Sequence, residues 1–232
     1  TMNRQVAIAG LGTLAAAAGA CGQTFQWIPT PAGVSGLLVH GISADGSSVV
    51  GSAWGLSNGR RQGFRWREGE GFLWLPMSSN YSGTDAEAIS ADGSVIVGEF
   101  DEITIHWAFR WTAATGVLPL PALPGVTAQQ VVTGISGDGQ TVIGFHSGIP
   151  YNAWRWTASG GTEPFGGDWA VQGISANGEM AVGSAQAGMH VWTAAAGHVT
   201  VPTPAGWIGV GAQDASADGT VAVGVLATAG PG

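Results

Sequence analysis

The stretch Gly41-Ile42-Ser43-Ala44-Asp45-Gly46-Ser47-Ser48-Val49-Val50-Gly51 decides the fold, because it recurs five times with small changes. The copies begin at Gly41, Ala88, Gly134, Gly173 and Asp214. Their central serines, Ser43, Ser90, Ser136, Ser175 and Ser216, lie 47, 46, 39 and 41 residues apart. A second motif follows each of the first four copies: Phe64-Arg65-Trp66, Phe109-Arg110-Trp111, Trp154-Arg155-Trp156 and His190-Val191-Trp192. A period of about 40–50 residues filled only by short strand patterns predicts a propeller or solenoid array.

Working outward from the quoted stretch, each repeat reads as four strands. Strand a ends in Ile-Ser, and Ala-Asp-Gly makes a tight turn, since Asp and Gly tolerate a left-handed backbone. Strand b is the β-branched run that follows, such as Val95-Ile96-Val97. Strand c carries the aromatic-Arg-Trp motif, and strand d is a segment such as Val117-Leu118-Pro119-Leu120. Pro76, Pro121 and Pro202 close strand d, which a proline tolerates because the outermost strand is an edge. Four short antiparallel strands per repeat are the content of a propeller blade.

The last repeat supplies strands a and b, from Gln213 to Gly224, and then stops. At the other end, Phe25-Gln26-Trp27-Ile28-Pro29 matches Phe-Arg-Trp and its continuation. One composite blade built from both termini would close a ring and leave no open edge there. The expectation is therefore an all-β, five-bladed propeller over residues 22–232. Its blades fall at about 36–77, 83–122, 128–166, 168–203, and 209–225 plus 23–34. A larger propeller cut short and an open solenoid are the competing readings.

Composition fits a secreted-type β protein. Forty glycines suit many tight turns and eleven tryptophans suit an aromatic core. The net charge of −8 comes with seven arginines and no lysine. No basic run exists, so nucleic acid and anionic membrane surfaces are excluded as partners. Cys21 is the one cysteine and allows no intramolecular disulfide. Met2-Asn3-Arg4 and the apolar run Val6 to Ala20, ending in Ala18-Gly19-Ala20, read as an export signal over residues 1–21. That run is short for a membrane span. The rival reading is an extra strand, since Val6-Ala7-Ile8-Ala9 is like Val221-Ala222-Val223-Gly224. The expected location is secreted or periplasmic, and the expected state is a monomer.

The five Ser-Ala-Asp-Gly-like segments and the Phe-Arg-Trp segments resemble those of bacterial extracellular proteins with HAF-type repeats, over roughly residues 23–225. The resemblance implies export and a β-propeller-like array. It implies no activity and carries no catalytic residues. The hairpin is also similar to the Asp-box turn of sialidase propellers, without that motif's trailing aromatic.

The repeated residues read as scaffold. Asp45, Asp92, Asp138 and Asp218 fix the turns, with Asn177 doing so in the fourth copy. One carboxylate per turn is too few for calcium. Arg65, Arg110 and Arg155 are expected to pair with the turn aspartates of their own repeats. Trp27, Trp66, Trp111, Trp156 and Trp192 are expected between blades.

Function is expected where the repeats disagree. Three residues before each central serine stand His40, Glu87, Thr133, Gln172 and Gln213, all polar and nearly all different. Two residues earlier come Leu38, Asp85, Val131, Ala170 and Gly211, on the same strand face by the period of two. The spacing predicts that the five polar residues converge on one mouth of the central channel. Trp54, Trp107, Trp169 and Trp207 are expected to rim that mouth, with Tyr81, Tyr151, His106, His146 and the acidic group Glu99, Asp101 and Glu102 beside it. A polar pocket ringed by aromatics suits a carbohydrate or small organic ligand. A hydrolase of an ester, phosphoester or glycoside is the alternative. In that case His40 is the general base, with Asp85 or Glu87 as partner or acid, or the three hold a metal that activates water. A structural or adhesive array is the third reading. No Gly-x-Ser-x-Gly elbow and no His-Glu-x-x-His motif occurs, and no cofactor is indicated.

Overall fold

The computed structural model describes residues 6–9, 25–76, 81–101, 106–148, 151–185 and 188–228. Among these residues every regular element is a strand, and no helix is long and apolar enough to cross a membrane. Strands β1 (Val6–Ala9) and β2 (Phe25–Ile28) pair in parallel. The first full repeat forms β3 (Gly36–Ile42), β4 (Ser48–Trp54), β5 (Gln62–Arg67) and β6 (Gly71–Trp74). The second forms β7 (Gly83–Ile89), β8 (Val95–Asp101), β9 (His106–Thr112) and β10 (Gly116–Pro119). The third forms β11 (Gln130–Ile135), β12 (Thr141–His146), β13 (Asn152–Thr157) and β14 (Gly161–Asp168). The fourth forms β15 (Ala170–Ile174), β16 (Met180–Ala185), β17 (Gly188–Thr193) and β18 (Gly197–Thr200). Each set is one antiparallel four-stranded sheet in chain order. The fifth repeat contributes β19 (Trp207–Ala215) and β20 (Ala222–Thr228), which among the described residues pair only with each other.

The recurring turn is built by side chains as well as backbone. Asp45 Oδ1 accepts the Ser43 hydroxyl at 2.6 Å and the Ser47 N–H at 2.9 Å, while Ser43 Oγ accepts the Ser48 N–H at 3.0 Å. These bonds, the Ser43 hydroxyl first, hold the Asp45 carboxyl at about 2. Asn177 does the same work with its amide oxygen, taking Ser175 and the Glu179 N–H. The left-handed position belongs to glycine alone: Gly46, Gly93, Gly139, Gly178 and Gly219 have φ of 68–74°, and no other residue type has positive φ among the described residues. Each turn also reaches the next one. The N–H of Ala44 donates to Ala91, that of Ala91 to Gly137, that of Gly137 to Ala176, and that of Asn177 to Ala217.

Neighbouring sheets stack through apolar clusters. Val50 and Leu75 of the first repeat pack with Ile96, Phe109 and Trp111 of the second. Val97, Ala108 and Leu120 of the second pack with Val142 and Trp154 of the third. Ile143 and Ala153 of the third pack with Trp169, Val171 and Ala181 of the fourth. Ile28 takes the equivalent place against Val49, Phe64 and Trp66 of the first.

Two expectations change. The arginines do not pair with the turn aspartates, whose Oδ1 atoms take the local serine hydroxyls and backbone N–H groups. Each instead lies over the tryptophan of the following repeat: Arg65 over Trp111 at 5.6 Å, Arg110 over Trp156 at 5.8 Å, Arg155 over Trp192 at 4.8 Å. The second concerns Phe25-Gln26-Trp27. The buried Ile28 occupies the position of Leu75 and Leu120, so Trp27-Ile28-Pro29 matches Trp74-Leu75-Pro76 and Pro119-Leu120-Pro121. The packing of β2 is thus like that of an outer strand d rather than of the aromatic strand c. β2 pairs with β1, and β20 has no partner beyond β19 among the described residues.

Candidate functional site at the channel mouth

Every strand a carries a β-bulge, and it falls on the repeat-variable polar residue. The register shifts between Val39 and Gly41, Ala86 and Ala88, Val132 and Gly134, Val171 and Gly173, and Ala212 and Asp214. The skipped residues are His40, Glu87, Thr133, Gln172 and Gln213. A bulge leaves its extra residue outside the ladder and re-aims its side chain. Strand b accommodates this with glycine: a Cβ on Gly51, Gly98 or Gly144 would collide with the carbonyl oxygen of Leu38, Asp85 or Val131.

Four of these residues line one cavity of about 210 Å³, to which all five a strands contribute. They are His40, Glu87, Thr133 and Gln172. In the fifth repeat Asp214 lines it, at the position held by Gly41, Ala88, Gly134 and Gly173, which line it too, while Gln213 is not among the lining residues. His40 Nδ1 lies 2.6 Å from Glu87 Oε2, with both side chains partly exposed. That hydrogen bond, ahead of burial, which opposes it, raises the His40 pKa and favours an imidazolium–carboxylate pair. Thr133 Oγ1 is buried without a partner among the described residues. Gln172 Nε2 donates to Ser184 Oγ at 3.1 Å.

Asp85 is turned away from this pair. Its Oδ2 lies 2.5 Å from Arg61 Nη2, and the same guanidinium nitrogen reaches Asp101 at 3.1 Å. Burial pushes the Asp85 pKa up, against the pull of Ser52 and Arg61. Beside it, His106 Nδ1 sits 3.0 Å from Asp101 and 3.4 Å from Glu99. Glu99 is 9% exposed and accepts the Val132 N–H at 2.7 Å. Burial outweighs that bond and lifts its pKa to about 7, with the Glu87 charge adding to the rise. A polar network thus runs from the cavity along β7, β8 and β9 of the second repeat. Glu102 lies outside the described residues. Among the described residues no three His, Cys, Asp or Glu side chains gather into a set that could hold a metal ion.

The aromatic rim is thinner than expected. Trp54 and Trp207 are 45% and 47% exposed. Trp107 is half-buried against the second repeat's core and walls a small hollow with Tyr81 and Phe100. Trp169 is a core residue: it is fully buried, and its Nε1 donates to Gly166 at 2.7 Å. His146 is also fully buried, beside Trp154, and burial lowers its pKa. With both side chains fully buried, neither stands on the rim. Arg61 was not read from the sequence, although the Arg60-Arg61 pair before β5 was the available signal. Asp214 stands where the other four repeats have Gly41, Ala88, Gly134 and Gly173, and that mismatch marked it.

No family model matches the chain, and no curated protein matches it. Solved structures do match. The chain is similar to TolB from Acinetobacter baumannii, with 20% identity and a TM-score of 0.51 over 72% of this chain and 42% of that one. It is similar to a putative TolB from Agrobacterium tumefaciens, with 13% identity and a TM-score of 0.54 over 73% of this chain and 63% of that one. Prolyl oligopeptidase B from Galerina marginata gives 13% identity and a TM-score of 0.52 over 77% of this chain and 28% of that one. The chain thus spans less than two thirds of each. At such identities the likeness concerns the fold, which is an all-β, propeller-like array of four-stranded antiparallel blades.

Proposed function

We propose that the chain is an exported, monomeric five-bladed propeller of the HAF-repeat kind that binds a carbohydrate or small organic ligand at the channel mouth. The observation that carries this reading is the convergence of His40, Glu87, Thr133 and Gln172 on one cavity, joined by Asp214. The repeat dictates the bulge that presents each of them but not the side chain presented. Such a set offers an imidazolium, two carboxylates, a hydroxyl and an amide to a ligand rich in hydroxyl or amino groups. Titration calorimetry against neutral sugars, amino sugars and short oligosaccharides tests the reading. His40→Ala and Thr133→Val should each weaken binding at least tenfold, while stability moves by no more than about 1 kcal/mol. Binding untouched by both substitutions would refute it.

Hydrolysis at the same mouth is the second reading, favoured by the proton that Glu99 retains up to about pH 7 in contact with His106. Here His40→Ala and Glu87→Gln should each abolish turnover of a responsive ester, phosphoester or glycoside. Turnover that survives both leaves binding alone.

Ring closure belongs to the same proposal. Ile28 packs on the first repeat as Leu75 packs on the second, which supports β2 as the outer strand of a fifth blade begun by β19 and β20. Deleting residues 22–34 should strip the first repeat of that cover and leave the protein insoluble or strongly destabilised. An unchanged melting temperature would end the closure reading.

A further inference from the structure

Glu99 stands at the seam between the second and third repeats. It follows Gly98 on β8, and the residue at this place in the other repeats is Ser52, Phe145, Ser184 or Val225, none of them a carboxylate. The place borders the strand a of the next repeat. The Ser52 hydroxyl reaches the Asp85 carboxyl of the second repeat, and a Cβ on Gly211 of the fifth would stand 2.7 Å from Ser184 Cβ. Glu99 makes the same crossing with a longer side chain. Its Oε1 accepts the Val132 N–H of β11 at 2.7 Å, the short end of the range for such a bond.

Val132 is the residue before the bulge of β11, where the register shifts between it and Gly134. The bulge presents Thr133, which lines the cavity. Its Oγ1 is buried and has no partner among the described residues, so no bond of its own fixes the direction of that hydroxyl. A bulge leaves its extra residue unpaired in the ladder, and the bond from Val132 to Glu99 holds it from outside its own sheet. Glu99 is 9% exposed and does not itself line the cavity. It is faced by His106 of β9, whose Nδ1 is 3.4 Å from its Oε2 and 3.0 Å from Asp101 of β8, and by the charge of Glu87 on β7. A buried acceptor placed in this way acts on the cavity through the backbone that it holds.

Resting on the binding reading, we propose that Glu99 is a positioning residue of the mouth: its carboxyl clamps the β11 bulge and so fixes Thr133 toward the ligand. The clamp needs an oxygen at that place, not a charge. A hydroxyl held in its direction beforehand spares the ligand the cost of ordering it.

Amide hydrogen exchange of the full chain, with calorimetry against the disaccharide of glucosamine, is the test. Glu99→Met fills much the same space without an acceptor. It should speed exchange of the Val132 amide at least about tenfold, while the Ile143 amide of β12 changes less than about twofold. Glu99→Gln keeps an oxygen for Val132 and should restore exchange to within about threefold of the wild type. Binding of the disaccharide should weaken at least about tenfold in Glu99→Met and stay near the wild-type value in Glu99→Gln. In a Thr133→Val background Glu99→Met should cost less than about twofold, because it acts through that residue. Without any variant, the Val132 amide proton should shift together with the Glu99 carboxyl as that group titrates at about 7. Unchanged Val132 exchange in Glu99→Met, failure of Gln to restore it, or a Val132 amide blind to the titration overturns the clamp. So do additive losses in the double variant. If no sugar binds while Val132 answers as expected, the binding reading falls and the clamp on Thr133 stands.

Discussion

The second and fifth repeats carry nearly the same hairpin sequence, Ser-Ala-Asp-Gly followed by Ser-Val-Ile-Val-Gly in one and Thr-Val-Ala-Val-Gly in the other. Val97 is fully buried and Val223 is 57% exposed. The hairpins themselves do not differ: Asp92 and Asp218 each take the serine two residues back, and Gly93 and Gly219 have φ of 70° and 68°. What differs is what lies against them. The second repeat has strands c and d beside it and a third repeat over its face, while β20 stands at an edge. Local sequence thus makes the turn, and neighbours make the core.

Phe109→Ala should separate the two regions most widely. It empties a filled slot and should cost about 3–5 kcal/mol in chemical denaturation, whereas Val223→Ala should cost less than about 0.5 kcal/mol. Equal costs would mean that the face of β20 is covered in solution.

Glu99→Gln sharpens the comparison through pH, since the fifth repeat has Val225 at this place. The folded pKa of Glu99 is raised to about 7 from its ordinary value of 4.5. The folded state therefore holds a proton that the unfolded state releases, and stability from this group falls as pH rises from about 4.5 to about 7. The raised pKa of His40 acts in the same sense, its contribution being lost as pH rises through that value. Urea denaturation should show a fall on the order of 2 kcal/mol across this range, and the Gln variant should lose most of it.

Gly93→Val should cost about 1–3 kcal/mol, because a β-branched residue is strained at φ 70°. A Cβ there would also stand 2.8 Å from Ser48 Oγ. Gly219→Val meets nothing closer than 3.3 Å and should cost less. Equal values would show that backbone strain alone sets the cost. Arg110→Gln, which removes the contact over Trp156, should cost about 1 kcal/mol. The fourth repeat, with Val191 in place of arginine, has no such contact to lose.

Much of this was legible because each repeat states the same local chemistry again. The Asp-Gly turns, the strand runs and the polar position before each serine follow from residue types and a period of two. The conversion of that position into a bulge was not legible, because it depends on hydrogen bonds across to strand b and on the glycines facing Leu38, Asp85 and Val131. Trp169 and His146 were misread as rim residues for a related reason. They lie near loops in sequence, but Trp169 packs among Phe165, Val171 and Ala181 and His146 lies buried beside Trp154.

By itself the sequence determined the repeat unit, its four strands, its turn and the ring of polar residues that vary among copies. These depend on neighbours a few residues apart. The tertiary structure decided the rest. It seated Ile28 of β2 on Val49 and Phe64, sent each arginine to the next repeat's tryptophan, and put Asp214 rather than Gln213 in the cavity. Each of these outcomes turns on contacts between segments about 20 to 170 residues apart, a distance over which packing and burial, rather than local preference, choose the partner.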